Sequence, residues 1–590
     1  MIEKIIEIGN LLGTKGEQFK YADIKLDERE NKENYVEEII FPYMQEGETV
    51  KGKLMPINKA NIDLLIKKYY WIGNAKASNP KIRVTSNIYE NVEVALPNLL
   101  KTIKNENSKL KQRISWVVDN FYEEIYIDSK KKFRIKDNKI DKIYTLDKSK
   151  AVKLYSLVIG DELISQNDEY LDLLNQMSKP KLSDYHSGFC STCKRKTDVT
   201  SNTTKLQLKY YMTNKISFAS DFVSFDKNFS MCRDCYESAI NGENILMKNF
   251  QTKLGESLLI IPQGVEENPK TREVVDEIFR LTKTSINGKV EDFYDLKQYL
   301  DSLEKENQNT IMIDLLFFRK GNQFFKIKHL LQDITLFRIV EINRKLADCN
   351  EFISVLNSSV NLGTFYNLLS KKNPEIGMNY ILNIFKDEAI KSKDLLNDFM
   401  QSERNYIHLL KKSKDESRFD FLKMIGFLYF LSRMELFKYN NNVLKHMNLD
   451  MEESPSRFEE LTLKKMDLND QKESLVRIGF LLAQVSSAQY RSGLTNSPIL
   501  DKVNFNGMDI RAVQRLVTLL EEKMKQYKLY YKNNLKDLTN LNLTIAKNFE
   551  DWTLSNNENV FYIMAGYSIS RAAGIESSKG EMSKESVLEE

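Results

Sequence analysis

The spacing of apolar residues changes along the chain from short alternating runs to long helical stripes. NFYEEIYIDSKKKFRIKDNKI alternates around Ser129 and Lys130, which predicts a β-hairpin. The clearest hairpin signal is NTIMIDLLFFRKGNQFFKIKHLLQDI, where two apolar runs flank RKGNQ and Gly321 can adopt a positive φ. From ITLFRIVEINRKL onward, Leu, Ile and Phe recur three and four residues apart, which predicts helices up to about residue 445.

A second helical region follows a break in this pattern. HMNLDMEESPSRFEE contains Pro455 and a cluster of acids, which predicts a linker. Beyond it the sequence predicts three or more amphipathic helices. In IRAVQRLVTLLEEKMKQY, Arg511, Arg515 and Lys525 lie opposite an apolar stripe. The stripe consists of Ile510, Val513, Leu516, Val517, Leu520, Met524 and Tyr527.

Composition and charge narrow the class of protein. The 590 residues carry a net charge of only +4, so any binding of polyanions must come from local patches. Residues 101–150 provide one, with 14 Lys and Arg against 8 Asp and Glu. Five cysteines in a chain of this length predict a reducing, cytoplasmic location and no disulfide scaffold. MIEKIIEIGNLLG lacks the apolar core of a signal peptide, and FLKMIGFLYFLSRMELF is too short to span a bilayer, so it predicts a buried helix and no membrane partner.

Four of the five cysteines occur at metal-ligand spacing. GFCSTC and MCRDC place two CxxC pairs 38 residues apart, and their thiols are Cys190, Cys193, Cys232 and Cys235. One CxxC turn offers two thiolates and a second closes a tetrahedron, so the pattern predicts a structural Zn²⁺ site. The alternative is two buried or redox-active pairs. His186 lies four residues before the first thiol and could compete as a ligand, whereas Cys349, in KLADCNEF, predicts a core thiol.

The segment between the two pairs mixes cations with aromatic residues. KLQLKYYMTNKISFASDFVSFDKNF contains Lys205, Lys209 and Lys215 among six Tyr and Phe residues. Cations on phosphates and rings under bases suit a single-stranded nucleic acid. The alternative is that most of these rings pack the core of the small domain itself.

Motifs for catalysis are missing from the sequence. It contains no GxxxxGK[ST] loop, no GxGxxG after a strand, no HExxH and no GxSxG elbow, and it has only four histidines. The sequence therefore predicts a protein that is not an enzyme. A zinc-dependent nucleic-acid-processing enzyme with a divergent active site and a stand-alone zinc-ribbon DNA-binding regulator remain as alternatives.

The residues around the thiols resemble a known family. GFCSTC, KISFASDFVSFDKNFSMCRDCYESAINGENIL and LLIIPQ resemble the zinc-ribbon core of the large subunit of type I-B CRISPR surveillance complexes, known as Cascade. The hairpin IDLLFFRKGNQFFKIKHLLQDI is similar to the middle region of that family. The helical C-terminus is similar to the small subunit of the same complexes, which is encoded within the large-subunit gene.

Pattern and resemblance together predict an α+β fold in four regions. These are an N-terminal mixed α/β domain that is the candidate region for the adjacent motif and the guide handle (1–185), a zinc-ribbon module (186–262), a β-hairpin plus helical middle region (263–445) and a C-terminal helical bundle (446–590).

The resemblance implies a role without catalysis. The large subunit caps the complex at the 5′ handle of the crRNA, recognises the protospacer-adjacent motif (PAM), helps to open the target duplex and stabilise the R-loop, and recruits the helicase-nuclease. The implied partners are crRNA, target double-stranded DNA, the Cascade backbone and other CRISPR-associated subunits, the helicase-nuclease and a separately translated C-terminal small subunit. Met447, Met451 or Met466 could start that subunit.

Three groups of polar residues are candidates for nucleic-acid contacts. For the PAM we assign amides and cations that can donate to base edges or phosphates, namely Asn74, Lys76, Asn79, Lys81 and Arg83. For the guide or target backbone we assign Lys130, Lys131, Lys132, Arg134, Lys136, Lys209 and Lys215. For the DNA path along the small-subunit-like helices we assign Arg491, Lys502, Arg511 and Arg515. The alternatives are a solvated loop, a solvated hairpin and an ordinary charged helix face.

Overall fold

The computed structural model describes most of the chain in two compact units. The units are Met1–Asn249 and Phe250–Glu590. The described residues are 2–13, 33–45, 47–69, 88–127, 130–139, 150–208, 228–264, 271–289, 292, 311–321, 325–354, 359–371, 373–410, 414–437, 463, 468–494 and 497–588. Both units combine helices with antiparallel or mixed sheets, which confirms the predicted α+β class. The four predicted regions stay a prediction.

In its described part, the first unit contains helices and three sheets. Its elements are α1 Ile2–Leu12, β1 Glu33–Phe41, β2 Lys51–Ile57, α2 Ile62–Tyr69, α3 Ile88–Thr102, α4 Lys109–Phe121, β3 Tyr122–Ile127, β4 Lys130–Ile135, β5 Lys150–Ile159, β6 Glu162–Leu163, α5 Asp168–Ser178, β7 His186–Phe189, β8 Lys196–Thr200, β9 Met231–Cys232 and α6 Arg233–Asn249. Strands β3 and β4 pair antiparallel, so the hairpin predicted around Ser129 and Lys130 is confirmed.

The largest sheet of the first unit has the order β2-β1-β5-β6. Its two central strands are parallel to each other, and β1 is buried continuously from Val36 to Ile39. The run Tyr155–Ile159 of β5 is buried in the same way, as expected for parallel strands covered on both faces, but these buried runs also contain the polar residues Glu37, Glu38 and Ser156. Helices α3, α4 and α5 cover this sheet with a core that includes Leu99 and Val117.

Helices α1 and α6 approach each other closely at two glycines. A Cβ atom on Gly242 would lie 1.9 Å from the carbonyl oxygen of Ile5, and one on Gly9 would lie 1.8 Å from that of Ser238. Neither distance is possible for a real side chain, so only glycine allows the two backbones to touch. The contact places Ile6 in the same apolar cluster as the first buried cysteine, Cys190.

Over its described residues, the second unit contains a four-stranded antiparallel sheet, with a helix between the second and third strands, and further helices follow the sheet. Its elements are β10 Gln251–Leu254, β11 Glu256–Gln263, α7 Thr271–Asn287, β12 Met312–Lys320, β13 Phe325–Thr335, α8 Leu336–Ser354, α9 Leu362–Leu369, α10 Pro374–Lys386, α11 Ser392–Leu410, α12 Arg418–Arg433, α13 Asp470–Arg491, α14 Ile510–Gln526, α15 Lys532–Asn548 and α16 Asn556–Leu588. The sheet order is β10-β11-β12-β13, and the β12–β13 pair confirms the clearest predicted hairpin.

The helices of the second unit follow the predicted hydrophobic pattern. In α14, Val513, Leu516, Val517, Leu520 and Met524 are buried, which confirms the apolar stripe. Helix α12 is buried from Phe421 to Leu431 apart from Lys423, as expected for the most apolar stretch of the sequence. Over the described residues, we find no helix with the length and apolar character needed to cross a bilayer.

Candidate metal centre

The first CxxC pair lies in the turn between β7 and β8. The N–H of Lys194 donates to the carbonyl oxygen of Cys190 at 3.0 Å, and the N–H of Cys190 donates to that of Arg195 at 3.0 Å. These bonds close the turn around Cys190 and Cys193. They also hold Lys194 at a φ of +61°, a left-handed conformation that costs a non-glycine residue roughly 1–2 kcal/mol.

The second pair is brought to the first by strand pairing. Cys232 ends β9 and faces Val199 of β8, while Cys235 lies in the first turn of α6. The N–H of Ser191, inside the first thiol turn, donates at 2.8 Å to the carbonyl oxygen of Ser230, two residues before Cys232, and so joins the two segments. The N-terminus of a helix favours negative charge, so the position of Cys235 suits a thiolate.

The four thiols form one compact cluster. The sulfur atoms of Cys190, Cys193, Cys232 and Cys235 all lie within 4.8 Å of one another, and the Sγ atoms of Cys193 and Cys232 are 3.7 Å apart. A tetrahedral zinc ion with Zn–S bonds of about 2.3 Å requires sulfur atoms about 3.8 Å apart. The donor set therefore fits one zinc ion. Four protein thiolates would leave that ion no open position, which is the arrangement of a structural site.

Neighbouring groups act on the charge of the thiols. Burial opposes ionisation of Cys193, but hydrogen bonds from Arg195, Cys190 and Cys232 together outweigh it and lower the pKa of this thiol to about 6. Arg195 Nε donates to Cys193 Sγ at 3.3 Å, and its Nη2 donates to Asp234 at 2.9 Å. Burial raises the pKa of Cys232 and of Cys235. A bound divalent cation would stabilise all four thiolates and offset that burial.

The structure leaves His186, the other candidate ligand, outside the thiol cluster. His186 is exposed on β7, and the only group of His, Cys, Asp and Glu side chains in the described residues that could hold a metal consists of the four cysteines. Cys349 is fully buried in α8 and donates to the carbonyl oxygen of Gly426 at 2.9 Å. Burial raises the pKa of its thiol, so the prediction of a core thiol is confirmed.

One buried carboxylate holds part of the segment between the two thiol pairs. It was not among the residues predicted from the sequence. Glu243 of α6 is 1% exposed and accepts the backbone N–H groups of Gln207 at 2.6 Å and Leu208 at 3.1 Å. It lies on the same helix face as Tyr236 and Ala239, which are buried. The available signal was an acid at a position where the helical pattern calls for an apolar residue.

Two groups of nucleic-acid candidates lie outside the described residues. They are the PAM candidates Asn74, Lys76, Asn79, Lys81 and Arg83 and two of the backbone candidates, Lys209 and Lys215. Their assignments stay predictions.

The basic hairpin is described in part. Lys130, Lys131 and Lys132 lie on β4, and for these three residues only the backbone is described. Arg134 is exposed and pairs with Asp137 at 2.5 Å. Lys136 donates to the carbonyl oxygens of Asp119 and Asn120, at 3.4 and 3.2 Å, and so satisfies acceptors at the end of α4. Arg134 and Lys136 therefore have partners within the chain.

The four C-terminal candidates are all exposed. Arg511 and Arg515 lie one turn apart on one face of α14. Arg491 is the last residue of α13, and Lys502 ends the short helical turn Leu500–Lys502. The structure thus places two of these cations on one face of a single element.

Comparison with protein families gives one consistent result. Three models of the CRISPR-associated protein TM1802 (cas_TM1802) family match: the N-terminal domain over residues 1–176, the central domain over residues 187–334 and the C-terminal domain over residues 360–581. All four cysteines fall within the central match. A search of curated proteins gave no significant match. Because the three matches follow one another along most of the chain, the protein belongs to the TM1802 family of CRISPR-associated proteins.

Proposed function

We propose that this chain is the large subunit of a type I-B CRISPR RNA-guided surveillance complex. In this role it recognises the PAM, helps to unwind the target duplex, stabilises the R-loop and recruits the helicase-nuclease. Base pairing with the crRNA reads the target sequence, and the subunit reads the adjacent motif and the nucleic-acid backbone. The observation that carries the proposal is the family membership over three consecutive domains.

The four-thiol cluster supports a role for the chain that does not include catalysis. A catalytic zinc keeps one position for water or substrate, whereas four cysteine ligands fill the coordination shell. In this proposal the metal ion fixes the turn between β7 and β8 against the end of β9 and the start of α6. In the proposed complex, Zn²⁺ is a structural cofactor, and the catalytic steps belong to the recruited helicase-nuclease.

Guide-dependent capture of duplex DNA tests the proposal directly. The complex is assembled from crRNA and its CRISPR-associated subunits, with and without this chain, and its affinity for PAM-containing duplex is measured at physiological salt. We expect capture only when the chain is present. Duplex binding by the chain alone, equally tight with and without crRNA, would favour the stand-alone regulator.

The same assay tests two of the PAM candidates, Lys81 and Arg83. Replacing both by Ala removes two cations, so we expect the affinity of the assembled complex for duplex to fall about 10-fold. The charge-matched control replaces Lys391 and Lys393, two exposed cations at the start of α11, and should keep wild-type affinity. Wild-type capture by the Lys81/Arg83 variant would remove these residues from the site.

The proposal includes a separately translated copy of the C-terminal helices as a partner. Translation from Met447, Met451 or Met466 would produce it. Expression of the gene with a C-terminal tag should then yield a short tagged chain beside the full-length one, and recovery of full-length protein alone would exclude this partner.

A further inference from the structure

The turn that carries the first thiol pair also presents an exposed aromatic ring. Phe189 is 66% exposed, although the next residue, Cys190, is fully buried. Its cross-strand partner is Lys196, so the two side chains stand next to each other on one face of the β7–β8 pair. Lys194 occupies the turn itself and is also exposed. A ring and two cations therefore share the surface of the metal-binding turn.

The two lysines differ from the neighbouring arginine in their partners. Arg195 is engaged by Asp234 and Cys193. Lys194 and Lys196 have no carboxylate partner among the described residues, and Lys194 donates one hydrogen bond to the carbonyl oxygen of Ser191. An ammonium group has three donors, so Lys194 keeps two for a ligand. Residues 186–200 carry three Lys or Arg against one Asp, and an anionic partner fits this surface.

A single exposed ring is common on protein surfaces, and the combination with two available cations is what indicates the partner. We propose that Phe189, Lys194 and Lys196 form a binding site for single-stranded nucleic acid, where a base stacks on the ring and the lysines contact adjacent phosphates. Bases in a duplex are already stacked on their neighbours, so a lone ring of this kind suits an unpaired strand. The inference rests on the proposed function, because it assigns one strand contact of the complex to this turn.

The backbone of the turn supports the assignment. A glycine would hold the left-handed conformation of Lys194 at no steric cost, but the chain has a lysine there. Strain at such a position is a reason to look for a function of the side chain. Strand pairing and the adjacent buried thiol fix the backbone of Phe189, so the ring is presented from a rigid element.

Binding of the full-length chain to a fluorescent oligouridine, followed by anisotropy over a range of salt concentrations, tests the stacking. Phe189→Leu keeps an apolar side chain but removes the flat ring, so we expect affinity to fall roughly 5- to 150-fold. Phe189→Tyr should keep wild-type affinity. The control Leu543→Ala removes another side chain that is 65% exposed and should change nothing.

The variant Lys194→Gly distinguishes a loss of oligouridine binding from a loss of folding. This variant removes the ammonium group and relieves the left-handed strain, so zinc content should be kept and the thermal midpoint should stay equal or rise. Affinity for oligouridine should fall, and the salt dependence, as the slope of log K against log salt, should become smaller by about 0.7. A structural role for Lys194 alone would leave both binding quantities at their wild-type values.

Three results would overturn the inference: no measurable oligouridine binding by the wild-type chain, wild-type affinity in Phe189→Leu, or wild-type affinity in Lys194→Gly. If Phe189→Leu instead released a co-purifying protein subunit and kept oligouridine affinity, the ring would be a protein contact. The proposed function fails by a different result, since it requires that a complex assembled without this chain lose guide-dependent duplex capture.

Discussion

Glu403 is a fully buried carboxylate that shares one cation with a second acid. Lys371 Nζ contacts the carboxylate of Glu403 and lies 2.7 Å from that of Asp420. The Oε2 atom of Glu403 has no hydrogen-bond partner among the residues that the structure describes. Burial raises the pKa of Glu403 from 4.5 to about 7. The positive charge of Lys371 opposes this shift, and the negative charge of Asp420 adds to it. The ammonium group of Lys371 therefore does not fully offset the cost of burying the Glu403 carboxylate.

This site predicts a pH dependence of stability. Between the ordinary and the folded pKa, the folded chain binds the proton that the unfolded chain has released, so the free energy of unfolding falls as pH rises from about 4.5 to about 7. The loss is about 1–3 kcal/mol. Glu403→Gln cannot ionise, so its thermal midpoint relative to wild type should rise over this range. A difference between the two proteins that stays constant with pH would contradict the shift.

At the residue scale, the sequence predicted those features of the site that depend on residues close together in the chain. Two CxxC pairs are visible because each pair forms its own turn, and the four thiols do converge. The roles of Arg195 and Glu243 were not predictable. Arg195 reaches a thiol and a carboxylate that strand pairing brings near, and Glu243 bonds to a backbone segment that precedes it by about 35 residues.

At the element scale, the crossing of α1 and α6 is the contact most sensitive to a small change. Gly9 and Gly242 let the helices touch through their backbones. Because α6 also carries Cys235, the position of the N-terminal helix and the second thiol pair depend on the same element. The two C-terminal helices α13 and α16 repeat this arrangement at Gly479 and Gly566.

Gly242→Ala tests this contact. Alanine normally stabilises a helix relative to glycine by about 1 kcal/mol, so a loss of stability would be diagnostic of the crossing. The added Cβ would lie 1.9 Å from the carbonyl oxygen of Ile5, and we expect a loss of about 1–3 kcal/mol in thermal or denaturant unfolding. Lys248→Ala, on an exposed position of the same helix, should stay within about 0.5 kcal/mol of wild type.

The periodicity of the sequence predicted elements better than it predicted their pairing. The β12–β13 hairpin and the stripe of α14 follow from patterns within one segment. The parallel pairing of β1 with β5 joins strands that are far apart in sequence, and several other elements lie between them. Such pairing depends on the packing of α3, α4 and α5 over the sheet, which no local pattern encodes.

At the scale of the whole molecule, the C-terminal helices of the second unit pack against its middle helices. Lys414 Nζ donates to the carbonyl oxygen of Val503 at 2.6 Å, and Asn557 donates to Asn397 at 2.9 Å. Tyr567 of α16 donates to Asp415. A separately translated copy of the C-terminal helices would lack these partners. The C-terminal helices are therefore an integral part of the second unit in the 590-residue chain.

Zinc content of the purified chain, measured by emission spectrometry after dialysis, tests whether the four thiols bind one metal ion. We expect one zinc ion per wild-type chain, almost none in Cys232→Ser, and wild-type content in the control Cys349→Ser, because the thiol of Cys349 lies in the core of the second unit. Cys232→Ser should also lower the thermal midpoint of the first unit. Wild-type zinc content in Cys232→Ser, or a folded wild-type chain that binds no zinc, would show that the four thiols do not form a zinc site.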